Sequence, residues 1–352
     1  MQQTMPLLEQ QASVAALRSC LATGMPAAEA VEKLAEFQPA YADQWLEIAK
    51  DVSNGRQLSA VLQSVWPDAA ISAIRAGEES GKIVPVLENL AKTIQIQREV
   101  RAELSKLLYP VAVLLGAFVV FATMLITFVP NITLQLQRAV GNYGELKGAA
   151  GFGLATRHFL VEHWIVSIVV LVAGISVLVH WLRQPATIRE MTRVLSDLPL
   201  IGPGLYQLWF GLWASYVAMA FAAGLPTIDA LKATINVLPE AMRAGVRSLI
   251  TDLSVRHMPM DRATNVKEMQ EADPRRKWPF FLRRAFAVAA HNGELDLELY
   301  RVAPEMIFFG KEEVKKTVKY GYVVAMAAAA AMIASAMILF YVPMMDVFSR
   351  VM

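Results

Sequence analysis

The sequence predicts an all-α membrane protein with two repeated cytoplasmic helical bundles and three transmembrane helices. Three observations carry this. Three apolar runs of about twenty residues hold no Asp, Glu, Lys or Arg, and a run of that length spans a bilayer's hydrocarbon core. The polar segments between them show helical periodicity and no sustained period-two alternation. Short landmarks in the first polar segment return in the second, in the same order, about 200 residues later.

Composition sets the frame. The 352 residues exceed what one hydrophobic core normally serves. Hydrophobic residues make up 55% and charged residues 18%, against about a quarter charged in a soluble domain. Mean hydropathy is +0.40. A net charge of +2 is too small to imply nucleic acid as a partner. Cys20, the single cysteine, excludes an internal disulfide, and its place beside Leu21 on an apolar face assigns it to the core. Met1 to Pro6 has no basic region leading into an apolar core, so no cleaved signal peptide is expected and the first domain is expected to stay in the cytoplasm.

The first bundle is expected over residues 1–108. Ala27, Ala30, Val31, Leu34 and Phe37 share one helical face, as do Trp45, Ile48, Ala49 and Val52. Helices should break at Gly24 with Pro26, at Asn54-Gly55, at Pro67 and at Gly81. Span one follows over 109–129, an outward loop over 130–163, and span two over 164–182. The second bundle is expected over 183–321, with Ile228, Leu231, Ile235 and Leu238 as a core face after Pro226. Span three covers 322–342 and an outward tail 343–352. Tyr109, Trp164, Trp181, Tyr322 and Tyr341 stand at span ends, where amphipathic rings favour the headgroup layer.

Basic residues set the orientation. Arg98, Arg101 and Lys106 precede span one, and Arg183, Arg189 and Arg193 follow span two. Lys311, Lys315, Lys316 and Lys319 precede span three, whereas the tail holds only Arg350. Both bundles and the N-terminus are therefore expected in the cytoplasm, and the C-terminus on the outward side.

Gly24-Met25-Pro26 returns as Gly224-Leu225-Pro226 and Asp51-Val52-Ser53 as Asp252-Leu253-Ser254. Trp66-Pro67 returns as Trp278-Pro279 and Phe128-Val129-Pro130 as Tyr341-Val342-Pro343. The offset steps from about 200 to 212 within the polar stretch Arg256 to Lys277, which places an insertion in the second copy. Span two has no counterpart in the repeat; it is the crossing that returns the chain to the cytoplasm.

Little here looks like chemistry. Gly77-Glu78-Glu79-Ser80-Gly81-Lys82-Ile83 has three residues between its glycines where a phosphate-binding loop needs four, and Ile83 stands where that loop carries Ser or Thr. A helix ending at Gly81 is the better reading. Glu78 and Glu79, about 100° apart on a helix, cannot flank one substrate atom and read as solvated or partner-facing. Among the histidines only His158 and His163 are close, with no third ligand near, so neither metal nor cofactor is expected. Arg275, Arg276 and Lys277, running into Trp278, Phe280 and Phe281, suit anionic lipid headgroups or an acidic protein surface better than nucleic acid. Ala327, Ala331 and Ser335 recur every fourth position in span three, a stripe suited to close packing on another helix, within the chain or across a dimer.

With these parts assembled, the sequence resembles the type II secretion protein F family, which includes the inner-membrane platform proteins of type IV pili. The resemblance covers nearly the whole chain. It rests on the paired Gly-x-Pro turns at Gly24 and Gly224, on Gly77-Glu78-Glu79-Ser80-Gly81, on Tyr109-Pro110 at the start of span one, and on the Val-Pro exits at Pro130 and Pro343. It implies a six-helix bundle for each cytoplasmic domain, location in the bacterial inner membrane, where the outward side is the periplasm, and oligomerisation. It also implies a hexameric assembly ATPase docked on the cytoplasmic side, pilin or pseudopilin subunits met in the membrane, and other inner-membrane assembly proteins as neighbours. The second copy has Ala289-Ala290-His291-Asn292-Gly293 where the first has its acidic turn, so an acidic contact at Glu78 and Glu79 does not extend to it. The short stretch before the first repeat points to a pilus rather than a secretion system.

The expected function is mechanical: coupling the ATPase to insertion of fibre subunits, with no catalytic residue. The alternative, a transporter or permease component, is disfavoured by spans that carry no acidic or basic side chain for an ion or proton.

Overall fold

The computed structural model describes residues 5–124, 196–199 and 201–349, with a few positions between 126 and 162. Span two, nearly all of the outward loop, the end of span one, residues 183–195 and the last residues of the tail lie outside the described residues, as do His158, His163 and His180.

Among the described residues every regular element is a helix. In order they are α1 Leu7–Ala22, α2 Ala27–Phe37, α3 Ala42–Ser53, α4 Leu58–Leu62, α5 Asp68–Glu79, α6 Ile83–Lys106 and α7 Tyr109–Thr123. After the undescribed stretch come α8 Gly202–Ala222, α9 Thr227–Thr234, α10 Glu240–Ser254, α11 Met260–Ala263, α12 Phe280–Asn292 and α13 Leu295–Ser349. Single 3-10 turns at Pro39–Tyr41, Ile235–Val237 and Pro274–Lys277 complete the list.

Proline and glycine punctuate these helices. Pro6, Pro26, Pro67, Pro226, Pro239, Pro259 and Pro279 each stand immediately before a helix without a side-chain cap. Proline needs no partner for an N–H, and its carbonyl opens the helical ladder: the Ala30 and Ala230 amides donate to the carbonyls of Pro26 and Pro226. Helix ends use the left-handed conformation. After α1, Gly24 has φ +84°, its amide donates to the Leu21 carbonyl and that of Met25 to the Cys20 carbonyl. After α8, Gly224 has φ +99° with the matching pair, to Phe221 and Ala220. Both ends are Schellman motifs.

The chain divides into two compact units. The first comprises Met1–Leu104 and Arg189–Val314. Its core packs Val14, Leu17, Val31, Leu34, Trp45, Ile74 and Leu90 together with Leu212, Tyr216, Met219 and Ala223 from α8 and its C-cap. The predicted faces of α2 and α3 hold, except that Phe37 is exposed. Helix α8 is buried along nearly its whole length, as a helix apolar on all sides must be. Tyr206, Phe210, Trp213, Trp278 and Phe286 form an aromatic cluster, with the Phe210 and Trp278 ring centroids 5.4 Å apart. Helices α8 and α13 approach closely because Gly211 faces Ile307 and Gly310 faces Leu208; a Cβ at Gly310 would lie 2.9 Å from the Leu208 backbone nitrogen.

The second unit comprises Ser105–Ile188 and Lys315–Met352. Here the Tyr109 and Tyr322 rings stack with centroids 6.0 Å apart, and Pro110 lies against Gly321. Among the described residues, two helical stretches, Ile83–Thr123 and Leu295–Ile338, are long and apolar enough to cross a membrane. Their apolar windows are 0% and 11% buried, which separates them from the core helices of a soluble protein.

Candidate functional site

The α5–α6 turn is built from the sequence up as a helix stop. Gly81, with φ +70°, lets its amide reach the Glu78 carbonyl and the Lys82 amide reach the Gly77 carbonyl at 2.8 Å. Gly77 itself sits against the Val86 side chain, which a Cβ would meet at 3.0 Å. Glu78 has a task inside the chain. Its Oε1 accepts from the Leu58 amide at 2.7 Å and its Oε2 from the Ser59 amide at 3.0 Å, so it caps the N-terminus of α4. Glu79 is exposed. The Ser80 hydroxyl donates to Ala76 and lies 3.3 Å from the Ala223 carbonyl, next to the Gly224 turn.

The basic stretch splits into interior and surface. Arg275 is buried: its Nη1 donates to Asp252 Oδ2 at 2.6 Å and to the Ala263 carbonyl at 2.8 Å, and its Nη2 to Asp273 Oδ2 at 2.6 Å. Burial opposes its charge, and the hydrogen bonds with Asp273 and Asp252 outweigh that, leaving its pKa above the ordinary arginine value. For Asp273 burial likewise opposes the charge, and the Arg275 side chain and backbone amide overcome it, so its pKa is lowered. Asp252 Oδ1 also takes Arg256 Nη1 at 2.9 Å. Trp278 lies in the aromatic cluster, while Arg276 and Lys277 are exposed and Lys277 pairs with Asp197 at 2.6 Å. Asp252 was not legible as a partner of Arg275, because it lies 23 residues upstream, whereas Asp273 lies only two residues away.

Besides the Ser80 contact with Ala223, further polar links join the two segments of the first unit. Tyr216 Oη donates to Gln97 Oε1 at 3.0 Å, and Lys311 Nζ meets Glu99 Oε2 at 2.6 Å. The Lys311 hydrogen bond lowers the Glu99 pKa against a smaller opposing effect of burial.

On α13, Ala327 and Ala331 are exposed and Ser335 is half-buried, its hydroxyl donating to the Met332 carbonyl at 2.8 Å. The covered positions are Ala325 and Ala336, on another face. Among the described residues no group of three His, Cys, Asp or Glu could hold a metal ion.

The sequence pattern of the family described as type II secretion system (T2SS), protein F, matches residues 14–130 and, separately, residues 213–343. The chain belongs to this family. Among its relatives is the type II secretion system protein F of Vibrio cholerae, 26% identical over 298 residues, which cover 82% of this chain and 70% of that protein. The type IV pilus assembly protein PilC of Pseudomonas aeruginosa is 25% identical over 264 residues, 73% of this chain and 67% of that protein. TapC of Aeromonas hydrophila, also a type IV pilus assembly protein, is 23% identical over 223 residues, 61% of this chain and 53% of that protein. The protein F family thus spans both secretion and pilus proteins. Its two matches in this chain begin within α1 and within α8, helices that each run into a Gly-x-Pro turn.

Proposed function

We propose that this chain is an inner-membrane platform of a type IV pilus or type II secretion machine, coupling a cytoplasmic assembly ATPase to the insertion of pilin or pseudopilin subunits into a growing fibre. The double match to the protein F pattern carries this reading. It supports a duplicated chain in which each copy is a helical bundle followed by a span. Span two is then the return crossing, and both polar segments lie in the cytoplasm.

The mechanism asks for transmission rather than chemistry. Helix α13 runs 55 residues from Leu295 to Ser349 with no loop between its polar first half and its apolar second half. Glu79 and Arg276 are exposed members of the two charged stretches and are where a partner protein or lipid headgroup would be met. The Ala327, Ala331 and Ser335 stripe offers a face to another helix, in a second copy or in a fibre subunit. Removing the chain from cells should abolish the fibre while the isolated motor keeps its ATPase activity; a fibre that still assembles overturns the proposal. A reporter fused near residue 250 should read as cytoplasmic.

A further inference from the structure

The same corner of each half holds a pocket. In the first half, α3, the turn after it and α4 enclose about 530 Å3, lined by Glu47, Asp51 and Arg56. In the second half, α10, the turn after it, α11 and the inserted segment enclose about 480 Å3. Both corners carry an Asp–Arg pair across the turn, Asp51 with Arg56 and Asp252 with Arg256. The two differ in the charge around that pair. The first pocket adds only Glu47, whereas the second adds Arg247, Arg262 and Arg275 against Asp273 and Glu268.

The second pocket's charges sort into two groups. Arg275 and Arg256 are held by Asp252 and Asp273. Arg247 and Arg262, both exposed, make no ion pair among the described residues, and Glu268 is the one carboxylate on the lining left to oppose them. Guanidinium groups arriving from two helices present planar donor forks that match oxyanions bidentately. The lining also argues against a docked protein segment, which needs an apolar anchor in a central pocket. Its apolar side chains are alanines, Pro274, the buried Met269 and the half-buried Met258. A volume of this order suits a small molecule.

We infer that the pocket between α10, α11 and the inserted segment binds a small phosphate-bearing ligand, with Arg247 and Arg262 as its charge contacts and the Arg275–Asp252–Asp273 network as the scaffold that holds the inserted segment in place. The second copy's insertion thereby gives it a site that the first copy lacks.

The test uses the full chain purified in detergent, titrated calorimetrically with sodium pyrophosphate at constant ionic strength, with ADP and citrate in parallel. Saturable binding is expected, weakened at least about tenfold by joint Arg247→Ser and Arg262→Ser, and strengthened by Glu268→Gln. Arg56→Ser in the first copy's pocket should leave it unchanged. All these side chains are exposed or half-exposed, so the variants should fold, and an unchanged thermal midpoint without ligand checks that. ADP binding as tightly as pyrophosphate marks a site for phosphate alone, and tighter ADP binding marks a nucleotide site. No saturation, equal affinity in the double variant, or citrate binding as tight as pyrophosphate overturns the inference.

Discussion

The Arg275 guanidinium lies 2.6 Å from the Asp252 carboxylate, with only 7% and 4% of their side-chain surfaces exposed. Removing Arg275 leaves the buried Asp252 carboxylate with Arg256 alone and takes the Arg275 side chain from Asp273. Arg275→Ala should therefore cost about 3–5 kcal/mol, read as a lower midpoint in urea. Arg275→Lys should restore little of it, because an ammonium cannot serve Asp252, Asp273 and the Ala263 carbonyl from one planar fork. Arg276→Ala, one residue on and exposed, should change stability by less than about 0.5 kcal/mol.

The same network sets a pH dependence. Asp273 has a lowered pKa in the folded chain, so its contribution is fully present above the unfolded carboxylate value of about 3.9 and is lost as pH falls through the lower folded value. Asp273→Asn should be less stable than the parent at pH 7. The gap between their thermal midpoints should close as the pH falls below the unfolded carboxylate value and through the lower folded one, as the parent's carboxylate becomes protonated. A gap independent of pH would mean that the carboxylate's charge contributes nothing.

These residues mark where sequence reading stops. The helix ends at Gly24, Gly81 and Gly224 were legible because a positive φ is a local demand that glycine meets at least cost. The core faces of α2 and α3 were legible because period 3.6 is local too, although it placed Phe37 inside and the end of α2 leaves it in solvent. The interior position of Arg275 was not legible. Asp273, two residues upstream, is a local partner, but burial of Arg275 also depends on Asp252 and the Ala263 carbonyl, which the path of residues 255–274 brings to it from 23 and 12 residues away.

Glu78 and Glu79 separate a structural acid from a free one. Glu78→Ala leaves the Leu58 and Ser59 amides at the start of α4 without their acceptor and should cost about 1–2 kcal/mol, the scale of a lost helix cap. Glu79→Ala, exposed, should leave the unfolding midpoint alone. If Glu79 meets a partner in the assembled machine, its substitution should lower fibre yield in cells without lowering the amount of folded protein, and Glu78→Ala should lower both.

Glycines in the long helices give the sharpest contrast. A Cβ at Gly310 would lie 2.8 Å from Leu208 Cγ and 2.9 Å from the Leu208 backbone nitrogen, and the backbone atom cannot step aside as a side-chain tip can. Gly310→Ala must push α8 and α13 apart, at a cost of about 1–3 kcal/mol for overpacking. Gly116 in α7 has nothing within 4 Å of the same added atom, so Gly116→Ala should be neutral or slightly stabilising. Thermal unfolding of both variants in one detergent tests this. Equal midpoints would show that α8 and α13 are not held at the separation that the two glycines Gly211 and Gly310 allow.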